Sequence, residues 1–247
     1  MKKFRQCLLT IFLFPGLCAS AQTINKVDPF DKVIVSPHIQ VQFVQGEEES
    51  VTIEDTKVDP GKIHIEVNNH TLRIYLEGAK EITKNERTRR NGNTTSKPLY
   101  YGTQVTAIVT YKTLEALSLR GDETHVCQSP LRGDHFSLKI YGESNVTLTS
   151  VDLSELQATI YGDSQLEIQS GSVYEQRYTA YGESTINSLG ISSKTSRITA
   201  FGESEFRVNV SDQIKLVAFG EARLQYRGDA RINKGMHFGE VHISKLD

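Results

Sequence analysis

The sequence predicts an all-β protein whose larger part is a right-handed parallel β-helix with coils of about twenty residues. Three observations predict it. No long window carries apolar residues at the i, i+3, i+4, i+7 spacing of an amphipathic helix. Apolar and polar residues alternate along most of the chain instead, as in half-buried strands. One pentapeptide also recurs: IYGES at Ile140–Ser144, IYGDS at Ile160–Ser164, AYGES at Ala180–Ser184, AFGES at Ala200–Ser204 and AFGEA at Ala218–Ala222.

In chain order, residues 1–21 read as a cleaved export signal. Lys2, Lys3 and Arg5 form a basic start, Cys7 to Leu17 a short apolar run, and Ala19-Ser20-Ala21 a small-x-small cleavage site before Gln22. The apolar run is shorter than the ~20 residues a membrane span needs. Cys18 offers a lesser alternative, lipidation, but Leu17 replaces the small residue that usually precedes a lipidated cysteine. Removing this segment takes away three basic and no acidic residues, so the net charge moves from −2 to −5. An acidic chain gives no electrostatic case for nucleic acid. Only Cys127 remains, so no internal disulfide can form and the core must hold the fold. Residues 22–247 read as one domain, with no second apolar segment of spanning length.

The first half supplies additional strands. Val33, Val35, Ile39, Val41 and Phe43 alternate with polar neighbours, as do Ile63, Ile65, Val67 and Leu72, Ile74, Leu76. Val105, Ala107, Val109 and Leu117, Leu119 continue the pattern. Gly46 and Pro60-Gly61 mark turns, and Asn69-His70 marks a hairpin. Lys84–Lys97 is polar, basic and aperiodic; it reads as a mobile surface loop, with a basic contact for anionic sugars or lipid headgroups as the sharper reading.

From about residue 117 to 247 the chain is a repeat array. Its marker glycines, Gly121, Gly142, Gly162, Gly182, Gly202, Gly220 and Gly239, are spaced by 21, 20, 20, 20, 18 and 19 residues. Stacked coils place equivalent residues ~4.8 Å apart. With the glycine as origin, the apolar columns fall at even offsets: Ile140, Ile160, Ala180, Ala200, Ala218 at −2, and Val146, Leu166, Ile186, Phe206, Leu224 at +4. A third, at +6, holds Leu148, Ile168, Ser188, Val208 and Tyr226. Even offsets therefore face inward, together with Ser144, Ser164, Ser184 and Ser204 at +2. Odd offsets face outward: an aromatic column, Tyr141, Tyr161, Tyr181, Phe201, Phe219 and Phe238, beside an acidic one, Glu143, Asp163, Glu183, Glu203 and Glu221. A bend at the glycine that inverts parity would instead turn the rings inward.

This arrangement resembles the head GIN domain family of exported proteins, a family named for auto-transporter adhesins and without an assigned activity. The resemblance rests on Phe30-Asp31-Lys32-Val33-Ile34-Val35, on Val41–Gly46 with its closing glycine, on Tyr111–Glu115 followed by Leu119-Arg120-Gly121, and on Tyr226-Arg227-Gly228 with the last turn at Gly239. It covers nearly the whole mature chain. Where the family shows Ser-Gly-Ser-Gly turns, this chain shows Tyr-Gly-Glu-Ser. The resemblance implies a helix-like all-β fold and an envelope or surface location. It implies no chemistry.

No catalytic motif stands out: there is no His-x-x-x-His, Cys-x-x-Cys, Gly-x-Ser-x-Gly or phosphate loop. The seven histidines read as surface residues. One carboxylate per coil is too few for calcium, which takes six to eight oxygens, so no metal or cofactor is expected. Three Arg-Gly-Asp triplets, at 120–122, 132–134 and 227–229, read as no integrin ligand: the repeat's preference for Gly-acid turns accounts for their Gly-Asp pairs, though not for their arginines, and only the second sits in a stretch that reads as a loop. The function expected is a non-enzymatic envelope or cell-surface module, periplasmic or extracellular. Its candidate contacts are the aromatic and acidic columns, and its partner a glycan, an envelope protein or a second copy of itself. The alternatives are a polysaccharide lyase or hydrolase, which long loops over the acidic column would favour, and a purely structural envelope component.

Overall fold

The computed structural model describes residues 23–90 and 93–247; residues 1–21, expected to be an export signal, lie outside them. Among the described residues there is no α-helix, only one 3-10 turn at Pro60–Lys62. The chain opens with β1 (Thr23–Lys26), β2 (Lys32–Val35), β3 (Ile39–Gln45) and β4 (Ser50–Thr56). An antiparallel hairpin of β5 (Ile63–Asn68) and β6 (Thr71–Leu76) follows. Asn69 and His70 turn it with φ of 48° and 57°, the left-handed pair that a two-residue hairpin needs.

Lys84–Lys97, expected as a loop, is a second antiparallel hairpin, β7 (Asn85–Arg90) with β8 (Asn93–Pro98). It makes a sheet of its own, so neither face packs on the core. Without a buried face there is no reason for apolar alternation, and the sequence shows none.

The coils begin with β9 (Val105–Tyr111), β10 (Ala116–Gly121) and β11 (Thr124–Cys127). They continue through β12 (Leu131–Gly142), β13 (Asn145–Leu148), β14 (Val151–Gly162), β15 (Gln165–Ile168) and β16 (Gly171–Tyr181). Strand β17 (Ser184–Arg227) is extended chain that rounds several corners without a break, and β18 (Arg231–Phe238) and β19 (Val241–Lys245) end the array. One parallel stack runs β6, β2, β10, β12, β14, β16, β17, β18. A second runs β9, β3, β11, β13, β15, β17, β19. The coil order is not the chain order: β6 and β9 stack outside β2 and β3, and the chain then passes to their other side to start β10. The fold is thus the expected β-solenoid with coils of about twenty residues and extra N-terminal strands.

Parity holds from the Gly121 coil to the Gly220 coil; past the register shift into β18, His237 at the −2 place is exposed. The −2 and +4 columns are buried from Ile140 to Ala218 and from Val146 to Leu224. Each fully buried aliphatic side chain there contributes about 1.5–3 kcal/mol by leaving water. The +2 serines are buried because each has a partner on the neighbouring coil: Ser144 Oγ donates to Gly121 O at 2.7 Å, Ser164 to Gly142 O at 2.9 Å, Ser184 to Gly162 O at 3.0 Å and Ser204 to Gly182 O at 3.2 Å. Glycine at the corner is required by space as well as by φ. At Gly162, φ is +111° and an added Cβ would lie 2.3 Å from Gly142 O.

Two local expectations are corrected. His125 is 1 % exposed, not a surface residue. It stands four residues after Gly121, in the +4 column occupied by Val146 in the next coil, and parity carries it inward. Its Nδ1 accepts the Val41 N–H at 3.3 Å. Arg132-Gly133-Asp134 is not a loop: it lies within β12, with Arg132 and Gly133 in register with Asp152 and Leu153.

Candidate functional site

The aromatic and acidic columns flank the corner glycines. In-register pairing sets Tyr141 beside Tyr161 and Tyr161 beside Tyr181, so the coil rise fixes the ring spacing. The rings form one stack. Centroids are 4.9 Å apart for Tyr141–Tyr161, 4.8 Å for Tyr161–Tyr181, 4.8 Å for Tyr181–Phe201 and 5.1 Å for Phe201–Phe219, with planes within 6° of parallel. Phe219–Phe238 opens to 5.8 Å and 23° at the register shift between β17 and β18. The bend does not invert parity. Tyr161 and Tyr181 are each 38 % exposed and Phe238 65 %, while Tyr141, Phe201 and Phe219 are half-buried.

Stacking changes what the column offers. Each inner ring spends both faces on its neighbours, so solvent meets ring edges, hydroxyl-tipped at the three tyrosines. The outer face of Phe238 has no further ring above it among the described residues. At the other end the Arg120 guanidinium lies 5.1 Å from the Tyr141 ring centre and caps the stack. Burial against the stack, then the Tyr141 and Tyr181 hydroxyls, raise the Tyr161 pKa above the ordinary phenol value. The Tyr161 phenol is therefore a neutral donor at physiological pH.

Glu143, Asp163, Glu183, Glu203 and Glu221 are exposed beside the rings. Adjacent carboxylates one coil apart repel by under about 1 kcal/mol in water, which an exposed column tolerates. The Glu183 N–H donates to Asp163 Oδ1 at 3.4 Å. Toward the C-terminal coils the column borders an open cavity of about 330 Å³, where Glu183, Glu203 and Glu221 face Arg223 and His242. Among the described residues no three His, Cys, Asp or Glu side chains converge as metal ligands would.

Sequence reasoning missed what heads the two columns. The β2–β3 coil lies directly above the Gly121 coil, with Val35 in register with Leu119 and Gln42 with Val126. Its corner, Ser36-Pro37-His38, replaces aromatic-Gly-acid. Ser36 follows Arg120, which already ends the aromatic column, and His38 takes the acidic place beyond Asp122. The signal was available as the Val35-to-Val41 spacing, which matches Ile140-to-Val146, but no glycine marks it.

The family model described as "Putative auto-transporter adhesin, head GIN domain" matches residues 29–230. No curated protein matches the chain in sequence. Among solved structures, a "putative adhesin" from Bacteroides fragilis is 16 % identical with a TM-score of 0.72, over 91 % of this chain and 96 % of that one. One of the same description from Parabacteroides merdae is 16 % identical with a TM-score of 0.62, over 91 % and 95 %. A "putative lipid binding protein" from Parabacteroides distasonis is 18 % identical with a TM-score of 0.64, over 92 % and 96 %. At these identities the likeness establishes the fold alone. The family match spans most of the solenoid, the acidic column and the aromatic column as far as Phe219, and the chain belongs to the head GIN domain family.

Proposed function

We propose that the protein is an exported, non-enzymatic envelope or surface module that binds an extended glycan along its aromatic and acidic strip. One observation carries this reading: an uninterrupted row of partly exposed ring edges, repeating every 4.8–5.1 Å from Tyr141 to Phe219, beside exposed carboxylates. An extended polysaccharide advances by a similar step per sugar. Tyrosine hydroxyls can donate to sugar oxygens and the carboxylates can accept from sugar hydroxyls. Each such contact is weak, and repetition along one chain sums them. The adhesin description of the family and the signal-like residues 1–21 support the location. Uniformity argues against catalysis on the strip, because paired acid–base chemistry needs two groups in different environments.

A second reading has one observation in its favour. The long segment between β6 and β9 brings Glu81–Thr83 over the head of the acidic column, where they border Asp122 and Glu123. Release of oligosaccharides from a polysaccharide by the mature protein would establish an enzyme.

The test is a glycan array read with Asp163→Asn/Glu183→Gln and Tyr161→Ala. The acidic double variant is expected to fold normally and to retain polymeric glycan about tenfold less well, roughly 1.4 kcal/mol. Tyr161→Ala breaks two stacked pairs and is expected to lose about 1–3 kcal/mol of stability as well. Unchanged retention by the acidic variant would overturn the strip as a binding surface.

A further inference from the structure

The head of the two columns is a pocket. Its cavity, about 430 Å³, lies under residues 81–83 of the segment between β6 and β9. That volume is within the range of small-ligand sites. Three walls are apolar: Pro37, the ring of Tyr141, and Ile82, which stands 78 % exposed at the mouth. The remaining walls are polar and fixed.

Glu123 is 4 % exposed. It replaces the +2 serine of the later coils and accepts the Asp122 N–H at 3.0 Å. Burial holds its carboxyl above the usual carboxylate range, against the pull of His38 and two backbone N–H groups. His38 is held at both ring nitrogens: Nδ1 donates to Gly102 O at 2.8 Å, and Nε2 meets Thr83 Oγ1 at 2.6 Å. It cannot ligate a metal without breaking one of these bonds. Its φ of 71° lies in the left-handed region, which non-glycine residues rarely adopt. Arg120 bonds Glu81, which Arg73 also holds at 2.7 Å, while the Arg120 Nε–H is buried without a partner.

Charges of both signs meet here: the Arg73 and Arg120 guanidiniums are paired on Glu81, beside the carboxyl groups of Asp122 and Glu123. A site of mixed sign is not built for a simple cation or anion. It offers hydrogen-bonding groups of both kinds beside apolar walls, which is the complement of a neutral sugar: hydroxyls on its rim, C–H groups on its faces. We infer that this pocket binds one or two neutral sugar residues, the end of a glycan chain lying along the strip. The class of ligand rests on the glycan reading of the strip; the pocket itself does not.

The test uses the full mature chain and short probes: neutral hexoses, N-acetylhexosamines, their β-linked disaccharides and the matching hexuronic acids, read by saturation-transfer NMR and calorimetry. At least one neutral probe is expected to bind. Ile82→Asp should weaken it at least tenfold, with an unchanged thermal midpoint because Ile82 is exposed. Asp122→Asn should weaken it several-fold. Binding of no neutral probe, binding of the uronic acids alone, or binding indifferent to Ile82→Asp would each overturn the inference. Failure of the strip reading shows separately, as absent retention of polymer on the array.

Discussion

Gly162→Ala is expected to cost roughly 3–5 kcal/mol, a large share of the stability of an ordinary domain. Two terms add. The residue sits at φ +111°, where an L side chain is strained by about 1–3 kcal/mol. Its Cβ would also press on Gly142 O at 2.3 Å, and that oxygen accepts the Ser164 hydroxyl and the Asp163 N–H, both at 2.9–3.0 Å. Backbone cannot rotate away as a side chain could, so the coils must part. Gly102→Ala supplies the control: φ is +56° there but nothing lies within 4 Å of the new Cβ, so only conformational strain of about 1–2 kcal/mol is expected. Urea unfolding of the two variants measures the difference. Equal losses would mean that close coil packing is not why the corner is glycine.

The second large effect is acid sensitivity from His125. Burial in the core holds its pKa down to about 4, against about 6.5 when unfolded. Above pH ~6.5 both states are neutral and stability is full. As pH falls below that value the unfolded chain takes up a proton that the folded chain refuses. Stability then declines by about 1.4 kcal/mol per pH unit, reaching a loss of about 3 kcal/mol near pH 4 and levelling below it. His125→Val, which copies Val146 of the next coil, removes this component while sharing every other titration. Urea midpoints at neutral pH and near pH 4 should therefore diverge between the two proteins. Parallel pH profiles would show that the imidazole is solvated in the folded chain.

The same residue shows how far the sequence could be read. Parity about each glycine placed the inward columns, the aromatic stack and the acidic column, because every coil repeats one local solution and equivalents are seen several times over. His125 obeys that rule; the general habit of histidine for surfaces outweighed the register at that one position. The β7–β8 hairpin was illegible for a different reason: with neither face packed on the core, its sequence carries no alternation to detect. Stacking order was beyond reach too. Any coil edge can pair with any other, and nothing local states that β6 and β9 lie outside β2 and β3. The head pocket depends on that order and on the excursion from β6 to β9, so it emerges only in three dimensions.

The two ends of the solenoid are finished differently, and this gives unfolding a direction. At the N-terminal end β5 lies antiparallel on β6, and β4 and β1 continue from β9, so the outermost coil is covered strand by strand. At the other end, among the described residues, β18 and β19 pair with β17 alone, and Met236 and Phe238 are each 65 % exposed. In a stacked array each coil is held by its neighbours, so loss propagates from the end with fewest of them. Amide hydrogens of β18 and β19 should exchange with solvent first, those of β17 next, and those of β10–β14 only on global opening. Protection that is uniform along the coils would instead mean that the array melts as one unit.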